Sequence, residues 1–373
     1  MRRILLSLGL CCLFAMTNNI ARSEGQPTKL SNPANSVPVG YLTAFEQKLR
    51  EATQNQSPVI EGGLARGRKA SDPPVKWLFF TPELRAVLSP PFWGDKAAAV
   101  SRSSNPKYSD PLEPILNFHT QLKDAGIELW IVPVPAKAAV YAQLISDEFV
   151  MPPFTRHQAD RTHGEFYHLL NGKGVTVVDL QHEYRRIKEE QEPSYYCATD
   201  SHWSGSGVQR AAATLAKQIK KLAWYQPLPK TQFHTEPYEV EITGDLAKLL
   251  NEKDPVKETL TLTRVSQIVD GKSVPVTDDP NSPILLLGDS HTLIFHDPRM
   301  FATGSGLADH LAEQTGIPLD VIGVRGSGAN AARLNWRRRA DPLVGKKLVI
   351  WCFSMREFTE NTDGWRVIPI KKP

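Results

Sequence analysis

The sequence predicts an α/β protein organised on a largely parallel sheet, with an inserted cap or surface excursion, and three observations carry this expectation. Short apolar runs suited to strands alternate with stretches of helical periodicity from residue 76 onward. Residues 226–280 break the pattern, being polar, rich in Pro, Asp and Thr, and without a long apolar strand. The composition, 41% hydrophobic and 23% charged over 373 residues, is that of a globular chain and excludes a collagen, a coiled coil or a mainly disordered protein.

In chain order, residues 1–23 read as a cleavable secretory signal. Met1-Arg2-Arg3 gives the positive start, Ile4 to Met16 the apolar stretch, and Ala21-Arg22-Ser23 the small-x-small cleavage site. The apolar stretch is too short for an ordinary membrane span. Removing residues 1–23 takes Arg2, Arg3 and Arg22 from the 44 basic residues and leaves 41 against 40 acidic ones, so the formal +4 belongs mostly to the leader. A near-neutral mature chain gives no support to nucleic-acid binding. Residues 24–75 read as a linker, rich in Pro, Ser and Asn over 24–40, and then a helix over 41–56 with Tyr41, Leu42, Phe45 and Leu49 on one stripe.

The main domain is expected over 76–373, opening with a strand at Lys76 to Phe80. A helix over Leu112 to Lys123, a turn at Gly126 and a strand over Ile127 to Val134 form the clearest unit. A second has a helix over Gly164 to Asn171, a turn at Gly172-Lys173-Gly174 and a strand over Val175 to Leu180. Val208, Ala211, Ala212, Leu215, Ile219 and Leu222 then mark one face of a helix. Strands over Pro283 to Leu287, Leu319 to Gly323 and Lys347 to Cys352 complete the core, and no internal repeat is read. Cys197 and Cys352 are the cysteines beyond the leader; they suit either one disulfide of an oxidising compartment or two buried thiols. Neither belongs to a CxxC or CxxH pair, which excludes a finger-type zinc site.

Two motifs carry chemistry. A continuous apolar strand runs into Gly288-Asp289-Ser290, a turn able to present a serine hydroxyl at the carboxyl end of a sheet, next to N–H groups suited to an oxyanion. The competing reading is that Asp289 or Ser290 caps a helix. Upstream, Asp200 and His202 stand two apart in Asp200-Ser201-His202-Trp203, close enough for the carboxylate to hold the imidazole that a serine nucleophile needs. Asp-x-His is also half a metal site, with His291, His296 or His310 as further ligands, but their irregular spacing argues against it.

Together, Gly288-Asp289-Ser290 and the earlier Asp200-Ser201-His202-Trp203 resemble the SGNH-hydrolase-like domain of the alginate O-acetyltransferase family, the AlgX/AlgJ group. In that family the Asp-x-His-Trp motif precedes the Gly-Asp-Ser motif, the reverse of the usual order. Lys76-Trp77-Leu78-Phe79-Phe80 with Glu83-Leu84, Pro133-Val134-Pro135-Ala136-Lys137, and Leu348 to Phe353 with Arg356 resemble further segments of the family, over roughly residues 75–360. His291 departs from the aromatic residue expected after the serine, and Cys352-Phe353-Ser354-Met355 from a more acidic, Pro-containing stretch.

The resemblance implies a three-layer fold and an exported enzyme that moves acetyl groups onto hydroxyls of an alginate-like exopolysaccharide. Ser290 would be the nucleophile, His202 the base and Asp200 its orienting carboxylate. It implies no metal or organic cofactor, and a membrane acyltransferase partner that delivers the acetyl groups. Gly326 and Asn330, in Gly326-Ser327-Gly328-Ala329-Asn330, are candidate oxyanion donors, with a plain glycine-rich turn as the alternative. Gly326-x-Gly328-x-x-Ala331 lacks the acid of a dinucleotide fingerprint, so no nucleotide cofactor is expected. Arg356 is a candidate for orienting substrate, or a member of a surface ion pair. Two alternatives use the same sequence: a carbohydrate acetylesterase that gives the acyl group to water, and a non-catalytic polysaccharide-binding or assembly protein.

Overall fold

The computed structural model describes residues 46–47, 49–51, 53–54, 57–64, 75–145, 161–184 and 194–370. The expected signal over 1–23 and linker over 24–40 lie outside them. The described residues between 46 and 54 are helical, as the apolar stripe predicts, and Leu49 is fully buried.

Among the described residues, ten strands form three sheets. β1 (Val59–Leu64) and β2 (Lys76–Phe80) pair antiparallel as a ribbon. β3 (Glu128–Val134) and β4 (Thr176–Val177) belong to the central sheet. β5 (His234–Ile242), β6 (Glu258–Val269) and β7 (Lys272–Pro275) make a separate antiparallel sheet. β8 (Ile284–Gly288), β9 (Asp320–Gly323) and β10 (Leu348–Ser354) complete the central sheet, which is parallel throughout in the order β4-β3-β10-β8-β9.

The central strands are continuous apolar runs because both faces are covered. In β10, Leu348, Ile350 and Cys352 enter one core while Val349, Trp351 and Phe353 enter the other. The first core is closed by the helices Gly205–Ile219 and Leu307–Thr315, through Val208, Ala211, Leu215, Leu307 and Leu311. The second is closed by Leu112–Asp124, Arg161–Gly172 and Ala331–Arg337, through Phe118, Leu122, Phe166, Leu170 and Trp336. The result is three layers, helices on both faces of the sheet.

Three expectations need correction. Residues 24–75 are more than linker and helix, since β1 lies at 59–64; its Gly62-Gly63 pair obscures the strand pattern. The strand expected over 175–180 ends at Val177, because Asp179 caps the next helix by accepting from Gln181 N at 2.9 Å. Residues 226–280 do hold long strands. β6 is twelve residues long, and its first five alternate buried Glu258, Leu260 and Leu262 with exposed Thr259 and Thr261, a two-residue period with no apolar run. Cys197 and Cys352 are both buried free thiols.

Candidate active site

The site is built at the carboxyl ends of β3, β10 and β8, where an open parallel sheet places its crevice. β8 ends at Gly288, where any side chain would collide with the Cys352 carbonyl of β10. Asp289 then fixes the turn that follows. Its Oδ1 accepts from His291 N at 2.8 Å and meets His291 Nδ1 at 3.1 Å, while Oδ2 accepts from Ser354 N at 2.8 Å. Asp289 is therefore the cap anticipated from the sequence and also a tie between β8 and β10. Ser290 stands at the head of the Ser290–Thr292 turn.

The base comes from the loop before the Gly205–Ile219 helix. His202 Nδ1 lies 2.6 Å from Asp200 Oδ1, and its Nε2 lies 2.7 Å from Ser290 Oγ. Asp200 Oδ1 also accepts from His202 N at 3.0 Å, the same turn that Asp289 makes with His291. The tripeptide Asp-Ser-His thus occurs twice, at 200–202 and 289–291, and folds the same way both times. The two imidazoles pack together, ring centroids 4.6 Å apart, with Trp203 edge-on to His291 at 5.5 Å.

The base loop is held from several sides. Lys137, fully buried after β3, donates from Nζ to Leu78 O at 2.8 Å and Ala198 O at 3.3 Å. Glu258, at the start of β6, accepts from Ala198 N at 2.8 Å, Thr199 N at 2.9 Å and Thr199 Oγ at 2.7 Å. Asp245 N donates to Asp200 Oδ2 at 2.7 Å, and the Asp245 carboxylate accepts from Ser201 N at 2.7 Å and Ser201 Oγ at 2.6 Å. Asp245 and Glu258 are absent from the sequence reading, because no local motif marks them. The repeated Asp-Ser-His was the visible signal for the Asp289–His291 pair.

The electrostatics separate the two histidines. Burial works against a charge on His202, but the Asp200 charge and hydrogen bond, with Asp245 behind them, raise its pKa above the ordinary value. Burial would lift the Asp200 carboxyl, yet His202 and the N–H groups of Asp245 and His202 hold it well below the usual carboxylate range. Burial pushes His291 down to about 4 despite Asp289, so it is neutral at pH 7.

Arg356 sits just past β10, paired with the buried Glu83 at 2.7 Å and bonded to Ser354 Oγ at 3.0 Å. Its charge acts on His202, Asp289 and His291, so it belongs to the site's surroundings rather than to a surface pair. The structure turns Gly326 and Asn330 to other uses. Gly326 is an exposed turn residue at φ 77°. Asn330 donates from Nδ2 to Gly364 O at 2.6 Å and accepts at Oδ1 from Arg366 N at 3.1 Å, which locks the C-terminal segment. In that turn Gly328 approaches the nucleophile loop instead, its missing Cβ lying 3.2 Å from Asp289 N.

Among the described residues, Asp200, His202 and Asp245 are the group whose ligand atoms come close enough to bracket a metal ion. His202 already has one nitrogen on Asp200 and the other on Ser290, so an ion would have to displace one of these bonds. The other candidate ligands have different partners: His291 pairs with Asp289, and His296 lies between Asp278 at 3.2 Å and Asp309 at 3.0 Å.

Residues 76–355 match the family described as the SGNH hydrolase-like domain of the acetyltransferase AlgX. The alginate biosynthesis protein AlgX of Pseudomonas syringae pv. tomato is 25% identical over 253 residues, 64% of this chain and 48% of that protein. The probable alginate O-acetylase AlgJ of Pseudomonas putida is 25% identical over 180 residues, 46% of this chain and 45% of that protein. The chain thus spans about half the length of the curated relatives it matches. Among solved structures, the O-acetyltransferase domain of Pseudomonas putida AlgJ shares the fold with a TM-score of 0.55 at 20% identity, covering 80% of this chain and 92% of that one. Pseudomonas aeruginosa AlgX does so with a TM-score of 0.54 at 18% identity, covering 86% and 68%.

Proposed function

The chain belongs to the AlgX family of SGNH-hydrolase-like acetyltransferase domains, and on that premise we propose that it transfers acetyl groups to hydroxyls of an alginate-like exopolysaccharide through an acyl-serine. The observation that carries the reading is the unbroken chain of hydrogen bonds from Asp200 through His202 to Ser290, at 2.6 and 2.7 Å. Each link has the partner that nucleophilic catalysis requires.

In the first half-reaction Ser290 Oγ bonds to the acetyl carbonyl carbon as its proton passes to His202 Nε2. Asp200 accepts from Nδ1 and offsets the imidazolium charge. The Ser290 N–H at the head of its turn and the Arg356 charge favour the tetrahedral oxyanion. His202 then returns the proton to the donor's leaving oxygen as its bond to the acetyl carbon breaks. In the second half, a sugar hydroxyl gives its proton to His202 and its oxygen to the acetyl group, and Ser290 leaves as the hydroxyl. The proposal also places the protein outside the cytoplasm, delivered by the 1–23 leader, with a membrane acyltransferase partner supplying acetyl groups.

The test is the mature protein with a chromogenic acetyl ester, followed by intact mass. The expected result is an acetyl adduct that disappears onto an added oligosaccharide, and a fall of at least about 10³-fold in transfer for Ser290→Ala. Full transfer by Ser290→Ala overturns the reading. Serine-dependent ester loss that ignores the glycan converts it to an esterase.

A further inference from the structure

The excursion over residues 226–280 is not merely seated on the domain; its polar side chains converge on the loop that carries the base. Gly244 lies so close to Thr199 that any side chain there would strike the Thr199 carbonyl, and Ala247 N donates to that carbonyl at 3.1 Å. Glu258 takes up the N–H groups of Ala198 and Thr199. Asp245 completes the set: its N–H holds Asp200, its carboxylate holds Ser201, and its Oδ2 stands 3.9 Å from His202 Nδ1. His202 therefore has two carboxylates within ion-pair distance, one from its own loop and one from the excursion.

We infer that Asp245 is a positioning residue of the base, a second carboxylate that the excursion brings to His202 to fix its loop and to favour its positive charge. Asp200 accepts the Nδ1 hydrogen bond; Asp245 acts on the charge that appears when Nε2 takes the proton of Ser290. An added negative charge at this range raises the proton affinity of an imidazole. The other groups facing His202 are His291 from the nucleophile turn, Arg356 from beyond β10 and Glu83 from the Thr81–Val87 helix, and substitution of Asp245 leaves all three in place. The Asp245 side chain is 44% exposed, so a neutral replacement creates no buried cavity.

The experiment is a ¹⁵N NMR titration of the His202 imidazole in wild type and Asp245→Asn, alongside the pH profile of kcat/KM. The kinetic half rests on the transferase reading, the titration on geometry alone. Both Asp245→Asn and the shorter Asp245→Ser are expected to titrate His202 at least about half a pH unit lower than wild type. The acid limb of the activity profile moves down with it, and the plateau kcat falls about tenfold with little change in KM. Asp245→Glu recovers the titration in part. An unmoved His202 titration in a folded variant overturns the inference, whether activity falls or not, because a merely structural residue gives that pattern. A shifted titration in a protein that shows no transfer even as wild type leaves Asp245 in this role and removes the transferase reading instead.

Discussion

Asp200-Ser201-His202 and Asp289-Ser290-His291 are one tripeptide folded into one kind of turn, and their serines differ by what each faces. Ser201 Oγ donates to a carboxylate, Asp245, at 2.6 Å; Ser290 Oγ meets an imidazole nitrogen, His202 Nε2, at 2.7 Å. Only the second partner can take a proton at neutral pH and return it. The histidines diverge in the same way. His296, fixed between Asp278 and Asp309, is raised to about 10, against burial that alone would lower it. A folded-state pKa above the unfolded value near 6.5 contributes stability that is complete below pH ~6.5 and lost as pH climbs towards ~10. Urea unfolding of wild type is therefore expected to lose on the order of 3 kcal/mol between pH 7 and 10, and His296→Gln to lose distinctly less over that window. Ser290, His202 and Asp200 were legible from sequence because each sits in a short motif whose members touch locally or share a turn. Asp245 lies 45 residues from Asp200, and only the folded excursion brings them together.

At the scale of elements, the Gly205–Ile219 helix shows how a local signal and a tertiary demand share one segment. Its apolar face was readable from Val208, Ala211, Leu215 and Ile219, and Ser204 caps it by accepting from Gly207 N at 3.3 Å. Gly207 is a weak helix residue with a separate reason to be there: any side chain would strike the Tyr195 carbonyl, and its Cβ would lie 3.0 Å from Trp203 Cβ. This contact seats the helix on the two arms of the base loop, which meet at an isolated Tyr196–Trp203 bridge. Gly207→Ala is expected to destabilise the protein by about 1–3 kcal/mol in urea unfolding, and to lower activity further by displacing His202. The excursion was not legible as strands for an energetic reason. A buried Glu258 and alternating threonines leave β6 without the apolar run that marks β3, β8 and β10.

Across the whole molecule, β10, the last of the described strands, is the middle strand of the central sheet. β10 pairs with β3 over seven residues and with β8 over five, and among the described residues no other strand joins those two. The base loop rests on the β3 side, where Tyr196 Oη donates to Pro135 O and Tyr195 N donates to Tyr141 Oη at 2.8 Å. The nucleophile leaves β8, and Ser354 at the end of β10 anchors Asp289. A chain ending at Lys347 keeps Asp200, His202 and Ser290 yet is expected to lack a cooperative thermal transition and all Ser290-dependent acetyl transfer, as circular dichroism and the ester assay will show. Timing follows from this placement. The ribosome writes the base first, the nucleophile 88 residues later, and the strand that aligns them last. A nascent chain carries the reactive residues unassembled, so under the proposed function acetyl transfer waits until β10 has been made and has joined the sheet.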